Sequence, residues 1–360
     1  MTAGVTRLAV QETTPESIRA LVRATIASIE DAFNTIDLLQ SRTRLALALS
    51  LITGTGGKSR RFARPTTALA AELAKLNVDD RHYWISTFYT LLMSPLLRRE
   101  KAAYFTPPAI VRHLIGQAET AGLDLRTAHV IDPAAGGAAF VSSLAGRMTE
   151  LGCGVDDVQA RISGIEIDRH LAILGEALIC DRLGRPYRKE GTTGLIRIAD
   201  SLALDKAADY DAVFVNPPYG RILGLSGELP PEWLAVAAPG HVNKYALFMD
   251  LAFRMAKPGG LVATVSPSSF VSGPLFEKLR ESIRTRAEVV RVDVLERQDV
   301  FHDVQQDACV NFQNEGFRIR HPDNVCPQIR THRPKLEVLG LGHSDDVRRR
   351  DELALDPAGS

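Results

Sequence analysis

The sequence predicts an α/β protein: a mostly parallel, doubly wound sheet preceded by a helical region. Three observations carry that reading. The run Val213-Phe214-Val215 is continuously apolar, as in a strand covered on both faces, and it stops at Asn216-Pro217-Pro218. Twice upstream, at residues 129–151 and 161–179, a short apolar run passes through small or acidic residues into a stretch of helical period, the signature of strand–turn–helix units. Residues 1–100 instead carry helical periodicity and no catalytic motif.

A chain of 360 residues accommodates one large α/β domain and a smaller one. Its 45% hydrophobic and 24% charged content is ordinary for a globular protein. Lys+Arg and Asp+Glu are 43 each, so overall charge gives no argument for nucleic acid, and any DNA surface has to be a local patch. The four cysteines, Cys153, Cys180, Cys309 and Cys326, form no C-x-x-C, which argues against a zinc site or disulfide framework and fits a reducing cytoplasm. The N-terminus has no signal-peptide pattern, and the apolar run from Leu45 to Ile52 is too short to span a bilayer, so a cytoplasmic protein without a membrane partner is expected.

In chain order, Thr14-Pro15-Glu16-Ser17 starts a helix carrying Ile18, Leu21, Val22, Ile26, Ile29, Phe33 and Ile36. Further helices are expected over Ser41–Ile52 and His82–Leu97. Between them, Gly54-Thr55-Gly56-Gly57-Lys58-Ser59 ends like a phosphate-binding P-loop. The required earlier glycine is absent, since position 52 is isoleucine, and the segment follows a helix rather than a strand; it reads as an interhelical loop.

Ala103-Tyr104-Phe105-Thr106-Pro107-Pro108 leads into an amphipathic helix with Ile110, Val111, Leu114 and Ile115, Thr106 being placed to cap it. His129 to Phe140 reads as strand, small-residue turn and helix, the turn allowing close backbone approach to a ligand. Residues 161–165 form a second strand ending in Glu166 and Asp168, and 195–199 a third ending at Asp200. A carboxylate at the second strand's tip suits ribose hydroxyls, whereas Asp168 suits a helix cap. Arg221 to Gly240 reads as a long polar loop with exposed Leu223, Leu225 and Trp233, and Asn243 opens a helix that Lys257-Pro258-Gly259-Gly260 ends. Strands follow at 261–265, 289–295 and 308–312; the tail from 314, with Arg348-Arg349-Arg350, loses all periodicity.

The fourth strand carries the chemistry. Two prolines hold the residues before them extended and end the ladder, so the Asn216 carboxamide is fixed at a strand's carboxyl end, where open α/β sheets bind ligands. An amide, a backbone carbonyl and the ring of Tyr219 together suit a planar amine such as a nucleobase. This N-P-P-Y run resembles the signature of amino-group methyltransferases that use S-adenosylmethionine. The order Y-F-T-P, D-P-A-x-G, G-I-E-I-D, N-P-P-Y over roughly residues 100–313 is similar to the gamma-type order of N6-adenine DNA methyltransferases of restriction-modification systems.

The resemblance implies a seven-stranded methyltransferase sheet over 101–313, a helical region over 1–100, and a polar tail over 314–360 that is short for a recognition region. It implies catalytic roles for Asn216, Pro217, Pro218 and Tyr219, and S-adenosylmethionine contacts from Tyr104, Thr106, Asp132, Ala134, Gly136, Glu166, Asp200 and Asn216. Ser266 to Phe270 and, more weakly, Phe301 fall near the target base in the family. No metal is implied. The implied reaction is methyl transfer to adenine N6 in double-stranded DNA, with a cognate restriction endonuclease or a separate specificity subunit as partner. Related N-P-P-Y enzymes act on a protein glutamine or an RNA base, and a degenerate DNA- or subunit-binding remnant is the non-catalytic alternative. The chain departs from the family's D-P-A-C-G-S-G-x-F at Ala135, Gly137 and Ala138, a change that bears on cofactor affinity rather than on fold.

Overall fold

A computed structural model of the chain describes residues 5–9, 16–33, 40–54, 60–100, 105–187, 194–204, 209–222, 230–237, 242–267, 270, 273–296 and 307–314. It opens with a strand, β1 (Val5–Ala9), followed by helices α1 (Glu16–Phe33), α2 (Ser41–Thr53), α3 (Arg60–Leu73), α4 (Val78–Leu91) and α5 (Pro95–Glu100). The periodic positions Ile18, Val22, Ile26 and Ile29 of α1 are buried, as their spacing requires. The helix expected over His82–Leu97 is two helices, because Pro95 cannot continue the first and instead starts α5. The P-loop look-alike follows α2, whose end Gly54 caps at φ 66°; the rest of that run lies outside the described residues.

The chain continues with α6 (Pro108–Thr120), β2 (Val130–Asp132), α7 (Ala139–Glu150), α8 (Val155–Arg161), β3 (Ile162–Glu166), α9 (Arg169–Arg182), β4 (Ile196–Ile198) and β5 (Tyr210–Val215). It continues with α10 (Pro231–Val236), α11 (Lys244–Met255), β6 (Ala256–Pro267), α12 (Glu277–Arg284), β7 (Ala287–Glu296) and β8 (Asp307–Asn314). Asp168 caps α9 by accepting from His170 N and Leu171 N, and Asn243 caps α11 by accepting from Tyr245 N, both as the sequence indicates. The segment 221–240 is not loop throughout: α10 interrupts it, and Trp233 packs on the core rather than standing exposed.

The sheet is α/β and mostly parallel, in the order β1-β7-β8-β6-β5-β2-β3-β4; β8 alone runs antiparallel to its neighbours. Among the described residues it has eight strands, one more than expected. The extra strand is β1, which pairs in parallel with β7 from Val5↔Val292 to Ala9↔Glu296 and covers what would be an open sheet edge. The N-terminal region is therefore not purely helical.

Strand alternation splits the core into two faces. Val130, Ala212, Phe214, Leu261 and Ala263 join α6 and α7 on one face; Ile131, Val213, Val215 and Val262 join α11 on the other. Each fully buried Val, Leu, Ile or Phe side chain among these contributes about 1.5–3 kcal/mol. A third apolar cluster, built from α1, α2, α3 and α4, includes Leu171, Leu174 and Leu178 of α9. From β2 the chain steps outward to β3 and β4, then returns to β5 on the other side of β2. The adjacent tips of β2 and β5 thus lie at a topological switch point, where such sheets form their ligand crevice.

Candidate active site at the switch point

At the tip of β5, Val213, Phe214 and Val215 are fully buried and anchor the start of the N-P-P-Y run. Asn216 donates from Nδ2 to Thr106 Oγ1 at 3.1 Å. Its Oδ1 is buried and accepts nothing; among the described residues it is the only buried side-chain acceptor oxygen without a donor. A buried acceptor left unpaired carries a desolvation cost of about 1–3 kcal/mol, which an incoming N–H removes.

Thr106 differs from the sequence expectation. It is buried, but it does not cap α6: the N-cap position is Pro107, with no side-chain cap bond. Its hydroxyl points across the crevice to Asn216 instead. Tyr104 lies outside the described residues, as do Phe301 and Ser268-Ser269.

Tyr219 is half-buried, its ring nearly parallel to that of Tyr245 at 6.4 Å and 8° between planes. Tyr245 is fixed in turn by its hydroxyl, 2.8 Å from Ser266 Oγ, and by edge contact with Phe276 at 5.5 Å. Phe270 tilts against Tyr245 at 6.0 Å. The sequence singled out Tyr219, Ser266 and Phe270 but missed Tyr245, which reads as one more apolar position on α11.

The turn after β2 is closed on itself. Asp132 accepts from Ala134 N at 2.9 Å, Ala135 N donates to Ile165 O at 2.9 Å, and Ser201 Oγ donates to Pro133 O at 2.6 Å. Glu166 holds the turn from the next strand, Oε2 accepting from Gly136 N at 2.9 Å and Oε1 from Asp168 N at 2.7 Å. Burial pushes the Asp132 carboxyl up to about 8; the Glu166 carboxylate adds to the rise and the Ala134 N–H opposes it. Asp200 is exposed and accepts from Leu202 N at 3.0 Å. Beside Glu166, Ile167 stands 68% exposed.

The three departures in this turn have physical readings. Ala135 is core. Ala138 adopts φ 60°, the only positive φ at a non-glycine among the described residues, at the position where the family pattern has glycine. Gly137 lies against α4 and the segment before α6: a Cβ there would meet Ser86 Oγ at 2.6 Å and Phe105 Cε1 at 2.8 Å. A cleft beside it is lined by Ser86, Phe105, Thr106, Gly137, Ser142 and Arg182.

Ser86 reaches the turn because α4 is fastened to the core by a polar seam absent from the sequence reading. Asp79 pairs with Arg182 and Arg112 and accepts from Ser143 Oγ at 3.2 Å. His82 sits 3.1 Å from Ser142 Oγ and 2.8 Å from Asp181 Oδ2, and Arg81 also pairs with Asp181. Asp79, His82 and Ser86 recur at helical spacing on one face of α4. Burial lowers the His82 ring below its ordinary value, against the Asp181 hydrogen bond that favours its charged form.

The residues fit an S-adenosylmethionine-type ligand in kind: a turn of backbone and small residues, strand-end carboxylates on the next two strands, an exposed apolar side chain between them, and a carboxamide facing the same crevice. Among the described residues no group of three or more His, Cys, Asp or Glu could hold a metal, and no helix is long and apolar enough to cross a membrane.

Residues 186–301 match the family described as Eco57I restriction-modification methylase. The chain is 26% identical over 272 residues to the type II methyltransferase M.TthHB8I of Thermus thermophilus, covering 71% of this chain and 56% of that protein. It is 27% identical over 224 residues to the type II methyltransferase M.BsuBI of Bacillus subtilis, covering 58% and 42%. The chain thus spans about half the length of these curated relatives. Among solved structures, one described as a class I S-adenosylmethionine-dependent methyltransferase from Listeria monocytogenes aligns with a TM-score of 0.57 at 13% identity, over 86% of this chain and 90% of that one. The DrdV–DNA complex aligns with a TM-score of 0.59 at 14% identity, over 83% and 39%. At such identities the structural likeness is one of fold.

Proposed function

We propose that this chain, a relative of the restriction-modification methyltransferases, transfers a methyl group from S-adenosylmethionine to the N6 amino group of adenine in double-stranded DNA. The observation that carries the reading is the buried, donor-less Oδ1 of Asn216 at the switch point. It is an acceptor prepared for an N–H of a planar amine, on a motif that resembles the amino-methyltransferase signature.

In this reading the target adenine is extruded from the duplex into the crevice. Its amino group donates to Asn216 Oδ1 and to the Pro217 carbonyl, while Pro218 holds the run extended. These two bonds draw the nitrogen's lone pair out of conjugation with the ring and direct it across the crevice. The Tyr219 ring, backed by Tyr245, Phe270 and Phe276, stacks on the base, a contact worth about 1–3 kcal/mol. Glu166 and Asp200 would hold the ribose and adenine of the cofactor, and Asp132, Ala134 and Gly136 shape the turn against it; by the family resemblance, Tyr104 and Thr106 would contact its methionine end. S-adenosylmethionine, when bound, supplies a methyl group on a sulfonium. No strong base is needed near Asn216, because the amine becomes acidic only once methylated; the catalytic contribution of the chain is positioning.

A cognate endonuclease or a separate specificity subunit belongs to the proposal as the source of sequence recognition. The test is transfer of labelled methyl from S-adenosylmethionine to unmethylated mixed-sequence DNA, with nucleosides resolved by mass spectrometry. N6-methyladenine is the expected product. Label in protein glutamine or RNA, and none in DNA, would overturn the substrate assignment.

A further inference from the structure

We propose that Arg280 is a positioning residue for the aromatic wall that receives the substrate base; this rests on the proposed amino-methyltransferase reading. Its guanidinium fixes the segment that follows β6, and that segment carries Phe270. An arginine has only donors and stays charged, so its bonds to carbonyl oxygens have one polarity.

Arg280 lies on α12, which Leu279 and Ile283 anchor in the core. Its Nη1 donates to Phe270 O at 2.9 Å and to Gly273 O at 2.8 Å. Gly273 O also accepts from Phe276 N at 3.3 Å, in the 3₁₀ turn Pro274–Phe276 that leads into α12. One nitrogen thus ties both ends of the stretch 270–273 to the helix. Phe270 and Phe276, on either side of that joint, both pack on Tyr245, with ring centroids at 6.0 and 5.5 Å, and on each other at 6.4 Å. Tyr245 in turn lies parallel to Tyr219. The line of contact from Arg280 to the stacking ring therefore runs through Phe270 and Tyr245, and through no residue assigned to the cofactor. The same helix holds the other flank of this cluster: Lys278 Nζ donates to Leu234 O at 3.3 Å on α10, whose Trp233 packs against it. Burial draws the Arg280 guanidinium below its ordinary value, with Glu277 opposing, so the two bonds form where water is partly excluded.

The experiment compares wild type, Arg280→Met, Arg280→Lys, Phe270→Leu and the double variant Arg280→Met/Phe270→Leu. Both bonds come from one nitrogen, so a lysine ammonium, a point donor with three N–H groups, can serve them; methionine keeps an unbranched apolar stem and donates nothing. Three readouts are taken: kcat and KM for DNA in methyl transfer, the fluorescence of a duplex carrying 2-aminopurine at the adenine that wild type methylates, and the S-adenosylmethionine dissociation constant by calorimetry. A stacked ring holds the base alike before and during transfer, so its displacement falls mainly on KM. Arg280→Met is expected to raise KM for DNA about fivefold and to lower kcat no more than about twofold, since stacking is only partly lost. It should lose most of the 2-aminopurine signal and leave cofactor affinity within about twofold of wild type, the cofactor residues lying outside the line of contact. Arg280→Lys should recover most of both losses. In the Phe270→Leu background, Arg280→Met should cost little more, because the arginine acts through that ring.

Four outcomes overturn the proposal: an unchanged KM and 2-aminopurine signal in Arg280→Met; an equal loss of cofactor affinity, which makes the role general support of the fold; effects of Arg280→Met and Phe270→Leu that simply add; or a salt dependence of DNA binding shallower by about one counterion in Arg280→Met, which makes Arg280 a phosphate contact. If wild type transfers no methyl to any amine substrate, the enzymatic reading fails and the proposal with it. Amide exchange across residues 270–276, faster in Arg280→Met and as slow as wild type in Arg280→Lys, would then establish that the clamp exists without that use, so the two failures are told apart.

Discussion

The tips of β2 and β5 are neighbours in the sheet and are finished in opposite ways. Around β2 and the strands beyond it, the carboxyl groups are occupied by the chain itself: Asp132 by Ala134 N, Glu166 by Gly136 N and Asp168 N, Asp200 by Leu202 N. At β5 the one side-chain donor is occupied and the acceptor is not. The difference separates two kinds of preorganisation. The β2 side spends its polar groups on holding a backbone shape against which a ligand can lie. The β5 side holds a single polar atom short of its partner, which is what a site needs where a new hydrogen bond is to form.

The largest effect should come from removing that atom. Asn216→Ala is expected to lower methyl transfer by about 100- to 1000-fold, the range seen when a positioned hydrogen-bonding group at a reacting centre is lost. Cofactor affinity by calorimetry should be nearly unchanged. Wild-type turnover in this variant would erase the contrast between the two tips.

On the β2 side the corresponding test is pH. The folded-state carboxyl of Asp132, pushed up to about 8, lies above its ordinary value of 3.8. Protonation therefore favours the folded chain: the stabilisation is full below pH about 4 and is lost as pH rises towards 8. Asp132→Asn stays neutral throughout and can still accept from Ala134 N. Denaturant unfolding should find it gaining on wild type between pH 5 and 8, by roughly 2–4 kcal/mol. A difference that does not vary with pH would mean that Asp132 is ionised in the folded state.

Next in size is the wall behind the turn. Gly137→Ala drives a methyl into Ser86 Oγ and Phe105, at an expected cost of about 1–3 kcal/mol in stability, with weaker cofactor binding. Adding Ser86→Gly should return part of both losses. Independent, additive effects in thermal melts with and without S-adenosylmethionine would show that α4 does not buttress the turn.

How much of this was legible in the sequence follows from how far each signal reaches along the chain. The β5 tip was legible because Pro217 and Pro218 act on their own neighbours. The caps Asp168 and Asn243 were legible for the same reason, each bonding amides two or three residues on. Thr106 was read as a cap by that local logic, and its actual partner lies 110 residues away. The polar seam on α4 was invisible, since Asp79, His82 and Ser86 acquire meaning only against α7 and α9. The strand β1 was missed because its five residues form a strand only where β7 offers an edge. Helix α3 was missed because Pro65 interrupts its pattern and the glycine-rich run before it suggested a loop.

The smallest predicted effect bears on the departure that looked most damaging to the family pattern. Ala138 sits at φ 60°, where an L-residue with a Cβ costs about 1–2 kcal/mol more than in a right-handed conformation. The turn still closes, with Ala138 N donating to Ala135 O at 2.7 Å and the methyl fully buried. The strain is thus offset by packing rather than relieved. Ala138→Gly restores the family residue and removes the strain, but it gives up the buried methyl and frees the unfolded chain. The net gain should be no more than about 1 kcal/mol, seen as a rise of a few degrees in melting temperature. A gain that grows further when S-adenosylmethionine is added would mean that the alanine also narrows the turn against its ligand; a gain equal with and without it would confine the effect of Ala138 to the backbone.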